Sequence, residues 1–136
     1  ISLLDKCKYV ENNVDFEPNL IFTHHPNCLN IDHEIVYRTT VTVFRPQTKK
    51  DQTILSYAVP SSTDYNPRSN FRGNVYYDVS ATYNIKMDCL TENYAAEMRP
   101  HPHSRSYENI ENLMKVAGAE IGVPYAEKFE LIRSTK

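Results

Sequence analysis

Between Val75 and Met87 the side chains alternate in character. Tyr77, Val79, Ala81, Tyr83, Ile85 and Met87 would share one face of an extended chain, and Tyr76, Asp78, Ser80, Thr82, Asn84 and Lys86 the other. Successive side chains of a strand point to opposite faces, so the pattern predicts a strand with one packed and one wet side. Sheets wet on one face are usually antiparallel, so this stretch constrains the fold more than any other.

Other segments fit around it. Glu34 to Arg45 is dense in β-branched and aromatic residues and predicts a strand with Ile35, Tyr37, Thr39, Val41 and Val43 on one face. The run "TILSYAV" predicts a second strand, although its apolar positions also suit a short helix, and "KFELIR" a last one. Leu20 to Phe22 is a short apolar run able to pair with a sheet. Ile1 to Val10 suits a short helix with Leu3, Leu4 and Cys7 on one side, stopped by Asn12, Asn13 and Pro18. The clearest helix is Tyr107 to Ala117. Ser106 suits its N-cap, Glu108 its first turn, and Ile110, Leu113, Met114 and Ala117 recur at helical spacing. Gly118 stands where a left-handed C-terminal residue belongs. With only three glycines the turns must use Pro, Asn and Asp, and Pro46, Pro60, Pro67 and Pro100 punctuate the chain accordingly. Residues 61–74 read as an exposed polar loop. The expected fold is α+β: a small antiparallel sheet with one amphipathic helix, about 106–118, packed on its apolar face.

A chain of 136 residues fits a single domain over 1–136, and 40% apolar with 24% charged residues fits a globular fold. A net charge of −2 argues against binding that works mainly by neutralising phosphates. No apolar run approaches the roughly 20 residues needed to cross a bilayer, so no membrane association is expected. The first residue is Ile, which points to a processed form or part of something longer, and "ISLLDKCKYVE" is too short and charged for a signal peptide. Cys7, Cys28 and Cys89 form no C-x-x-C pair; reduced thiols are expected, with one disulfide plus a free thiol as the alternative. None of the twelve asparagines opens an N-x-S/T sequon. An intracellular setting, cytoplasmic or virion-associated, follows as the expectation.

Chemistry concentrates in "THHPNCLNIDHE", Thr23 to Glu34. His24 and His25 are the candidate catalytic residues, but adjacent side chains on a strand point to opposite faces and could not share one ion. His101 and His103, one residue apart, would project to the same side of an extended segment. A metal held by His33, His101 and His103 is therefore the one cofactor the residues suggest, and otherwise none is expected. Phosphate-cradling and nucleophile-elbow motifs are absent from the sequence. Arg68, Phe71, Arg72 and Tyr76, with Lys49 and Lys50, could form an arginine-and-aromatic binding surface of the kind on which single-stranded nucleic acid stacks.

The segment His24-His25-Pro26, followed by Asn30, resembles the histidine-pair segment of the pterin carbinolamine dehydratases. "TKKDQTILSY" is similar to the start of that family's last helix, with Asp51 and Leu55 suitably placed. The resemblance covers about thirty residues and implies a histidine-based site at the pair. The chain departs from the family at Pro18, which interrupts the helix expected before the pair, and at Thr42, which stands in place of a third active-site histidine; residues 60–136 have no counterpart. "YAEK" at Tyr125 to Lys128, with His101 and His103, is similar to elements of replication-initiating nucleases. Those enzymes hold the histidines on a central strand, which the alternate prolines of "RPHPHS" forbid.

The leading expectation is a non-enzymatic binding or structural protein, of a kind that would suit a virus or phage. It would act through contacts with a protein partner or a second copy of itself, since Tyr and Arg favour interface centres. The alternatives are a small histidine-based enzyme or metal-binding protein, and a module for single-stranded nucleic acid.

Overall fold

The computed structural model describes residues 2–46 and 51–136. Ile1 and residues 47–50, which include Lys49 and Lys50 of the expected basic surface, lie outside the described residues. In chain order the elements are α1 (Leu3–Asn13), β1 (Leu20–His24), α2 (Ile31–Val43), β2 (Gln52–Tyr57), β3 (Val75–Asp78), α3 (Tyr83–Asn93), α4 (Tyr107–Ile121) and β4 (Ala126–Thr135), with a short 3-10 turn at Ala95–Glu97. The fold class is α+β as expected, with four α-helices among the described residues where the sequence suggested one principal helix. The strands form a mixed sheet in the order β1-β2-β4-β3.

The sheet is not purely antiparallel because β1 and β2 run parallel, Leu20 opposite Thr53 and His24 opposite Tyr57. Parallel neighbours cannot be joined by a hairpin; they need a crossover, usually a helix. That crossover is α2, so the strand expected over Glu34 to Arg45 is a helix instead. Local signals support it once the topology demands it. The Asn30 side chain caps the helix by accepting from the Asp32 amide at 2.9 Å, and Asp32 and Glu34 sit in the first turn, where the helix dipole favours negative charge. Thr40 turns its hydroxyl back onto the Val36 carbonyl at 2.8 Å, which satisfies it inside the helix.

The alternation from Val75 to Met87 also fails as one strand. It is extended only through Asp78, whose carboxylate accepts from the Ser80 amide at 2.9 Å and folds the chain over. Thr82 then bonds back to the Val79 carbonyl, and α3 begins at Tyr83. A local Asx turn thus defeats a period-2 pattern that runs straight through it.

The chain divides into two compact units, one made of residues up to 73 together with 129–136, the other of residues 74–128. In the first, β2 pairs antiparallel with the second part of β4, Ser56 opposite Glu130 and Gln52 opposite Thr135, with a bulge between Ile54 and Leu55. Ile54 and Leu55 are fully buried, and burial of each such side chain stabilises by about 1.5–3 kcal/mol. Helix α1 begins with a reciprocal capping box between Ser2 and Asp5 and packs on α2, which lies against β1.

In the second unit, α4 contacts β3 and buries Met114, Ala117 and Gly118, while Leu113, expected on the packed stripe, is half exposed. Ser106 caps α4 as expected, accepting from the Asn109 amide at 3.1 Å. The left-handed residue at its end is Gly122, with φ 78°, not Gly118. Gly118 lies within the last turn, where an added Cβ would stand 2.5 Å from the Val123 carbonyl oxygen. Among the described residues no helix is long and apolar enough to cross a membrane.

Candidate functional site

The last residue of β1, the loop after it and the start of α2 carry three histidines and a cysteine to the carboxyl ends of β1 and β2. Ligands of sheets with parallel strands are commonly bound outside those ends. Because His24 and His25 are consecutive at the end of an extended strand, they part company there, and the structure gives them different work.

His25 is 1% exposed. Its Nδ1 accepts from the Asn27 amide at 3.2 Å, so its proton sits on Nε2, which faces the Glu130 carboxylate at 3.3 Å. Glu130 also accepts from the Arg72 amide at 2.9 Å. The Phe71 ring meets His25 edge-on, with centroids 5.4 Å apart. Burial pushes the His25 pKa below its ordinary value, and Glu130 only partly opposes this. With both nitrogens engaged, His25 is a clamp between the loop, residues 71–72 and β4.

The same loop is tied down elsewhere. Asn27 donates through its side chain to Asn70 at 2.7 Å and accepts at its carbonyl from Asn66 at 2.9 Å, while the Leu29 amide bonds to the Ser62 carbonyl. Residues 61–72 are therefore a bonded partner of the histidine loop and not a free polar connection.

His24 faces the other way. Its ring stacks on that of His33, centroids 4.0 Å apart and planes 19° from parallel, with the Tyr57 hydroxyl 3.4 Å from its ring nitrogens. The parallel register brings Tyr57 there, because it is the residue opposite His24. His33 comes from the first turn of α2, and its Nδ1 lies 3.0 Å from the Sγ of Cys28. Burial lowers the pKa of both histidines, aided at His24 by the neighbouring His33 charge and opposed at His33 by Asp32. Burial also raises the Tyr57 hydroxyl. At neutral pH the cluster therefore presents two uncharged imidazoles and an un-ionised phenol.

The remaining candidates lie elsewhere. His101 and His103 belong to the second unit, within a turn rather than an extended segment. His101 is exposed, while His103 bonds through its amide to the Pro100 carbonyl and accepts at Nδ1 from the Arg105 amide at 3.0 Å. Alternate prolines and these turn bonds remove the shared projection that would have made a ligand pair. Among the described residues no group of three or more His, Cys, Asp or Glu side chains is arranged to hold a metal ion. Of the expected binding surface, Arg68, Phe71 and Arg72 are in the first unit and Tyr76 in the second, where its hydroxyl donates to Glu120 at 2.5 Å. The helix that the dehydratase resemblance implies after Lys50 is strand β2 over Gln52–Tyr57. Cys28, Tyr57, Thr63 and Glu130 are the site residues that sequence reasoning missed. Cys28 alone carried a signal, since it lies within the histidine segment.

No protein-family model matches the chain, and no curated protein matches it either.

Proposed function

We propose that the chain carries a histidine-based catalytic site at the carboxyl ends of β1 and β2, with His24 as general base for water attacking an uncharged acyl carbon. The observation that supports this best is the stacked His24–His33 pair beside the Tyr57 hydroxyl, both rings kept neutral by burial. A neutral imidazole offers a lone pair at physiological pH, the requirement for accepting a proton from water. Attack on an acyl carbon also needs donors for the oxygen that becomes negative, and the Tyr57 hydroxyl and a ring N–H of His33 supply that chemistry. His24, His33 and Tyr57 bring no positive charge, whereas a phosphoryl group calls for cations to meet it, which favours the uncharged substrate.

A panel of 4-nitrophenyl esters and anilides tests the reading. Turnover by the native protein is expected to fall at least tenfold in His24→Ala, within the range of roughly 100- to 10,000-fold that general bases contribute. Turnover that His24→Ala and His33→Ala leave unchanged, or none across the panel, overturns it. A second reading, contact with a second copy of the chain, is supported by Leu20, Phe22 and Leu131, each more than 40% exposed. Sedimentation velocity would then show a dimer that Phe22→Asp dissociates, and a monomer in both proteins rejects it. The cysteines Cys7, Cys28 and Cys89 are free thiols, which supports a reducing, intracellular setting.

A further inference from the structure

We infer that Cys28 is a positioning residue that fixes the proton of His33 on Nε2, making His33 a hydrogen-bond donor to the substrate and leaving the role of base to His24. The inference rests on the histidine-based reading and assigns separate tasks to its two rings. It starts from a group whose proton cannot move. The Val59 backbone N–H donates to Thr63 Oγ1 over 2.9 Å, so the Thr63 hydroxyl hydrogen must be given to something else. Its partner is the Cys28 sulfur, 3.7 Å away. Thr63 is 1% exposed and Cys28 8%, so water offers little substitute. Sulfur thus accepts from Thr63, and its own S–H turns to its remaining neighbour, His33 Nδ1, at 3.0 Å.

A neutral imidazole has one donor and one acceptor nitrogen, so an accepting Nδ1 places the hydrogen on Nε2. Burial favours the neutral ring, in keeping with this assignment. His25 reaches the same tautomer by an independent route, through the Asn27 amide, but spends its Nε2–H on Glu130. His33 Nε2 has no such partner among the described residues, so its N–H remains available. Two stacked imidazoles of identical chemistry are thereby made unequal: one ring has its outward proton assigned by a chain of donors that begins in the backbone, and the other does not.

Nitrogen-15 NMR of the histidine rings in the intact chain, at a pH where they are neutral, tests the assignment without reference to catalysis. The native protein is expected to show the Nε2–H tautomer at His33. Cys28→Ala, which removes the donor, should shift it toward a mixture, and Cys28→Ser, which restores one, should return it. A native His33 protonated on Nδ1, or a folded Cys28→Ala protein with an unchanged tautomer, overturns the inference. If Cys28→Ala does not fold, the native spectrum together with Cys28→Ser decides in the same way. A folded protein with the Nε2–H tautomer but no esterase activity upholds the assignment and rejects the function. Activity that depends on His24 with the opposite tautomer does the reverse.

Discussion

At His25 the ring is spent on structure: one nitrogen accepts the Asn27 amide and the other meets Glu130. Truncation would empty the space of a fully buried ring and take one partner each from the part-buried Glu130 carboxylate and the Asn27 amide. His25→Ala is therefore expected to lower stability by roughly 1–3 kcal/mol, read from urea unfolding, because packing and two hydrogen bonds are lost together. Glu130→Gln, which keeps an acceptor oxygen at the same reach, should lose less. At this scale the sequence told a good deal. Adjacent histidines at the end of an extended run had to diverge, and they do. It could not tell that Cys28 meets His33, because that contact depends on a helix starting at Asn30. The strand was expected to start only at Glu34, so nothing in the sequence pattern placed the His33 ring against the loop.

Two glycines four positions apart shape the end of α4 for different reasons. Gly118 has no room for a side chain, since a Cβ would stand 2.5 Å from the Val123 carbonyl oxygen and 2.9 Å from that of Pro124, both backbone atoms. Gly122 has open space but a φ of 78°, which an L side chain rarely adopts. Gly118→Ala is expected to cost about 1–3 kcal/mol through displaced backbone. Gly122→Ala should cost nearer 1–2 kcal/mol, the ordinary penalty of a left-handed residue. Thermal unfolding separates the two if only Gly118→Ala also weakens hydrogen-exchange protection at the Val123 amide, which bonds to Gly118. Four elements were legible from periodicity or β-richness alone: α1, which runs on through Asn13 past the stop expected at Asn12, and α4, β2 and β4. The misreadings share a cause. Over Ile31–Val43 a crossover requirement outweighed β-branched propensity, and at Asp78 a single local hydrogen bond from the Ser80 amide broke an alternation whose faces looked consistent to the end.

For the molecule as a whole, the buried histidines set how stability responds to acid. His24, His25 and His33 all have folded pKa values below the 6.5 of a free imidazole, with burial the leading cause. The unfolded chain therefore takes up protons first. Their contribution is intact above 6.5 and declines as the pH falls through that value toward the lower folded ones. The midpoint of urea unfolding is expected to drop on acidification from pH 7.5 in the native protein and to drop less in a His24→Ala/His33→Ala double variant. Equal slopes would show that these rings are as solvated folded as unfolded. The α+β class could be read from the sequence, but the parallel pair could not: β1 announced itself as three apolar residues, and its partner was recognisable only after α2 was seen to be a crossover. The candidate site inherits that limit, since Tyr57 reaches His24 through the parallel register alone.

The antiparallel pairing of β2 with the far part of β4 has a consequence for how the protein is made. Gln52 finds Thr135 across a span of chain that includes the whole of the second unit. As the chain emerges from a ribosome, residues 74–128 are free to gather before residues 129–136 bring the first unit its strand. The edge of β2 then waits, along with the His25 ring that will bind Glu130, until residues 129–136 emerge. Nascent chains from which residues 129–136 have not yet emerged should thus be recognised by chaperones that bind open strand edges, and release from that surveillance should coincide with the emergence of these eight residues.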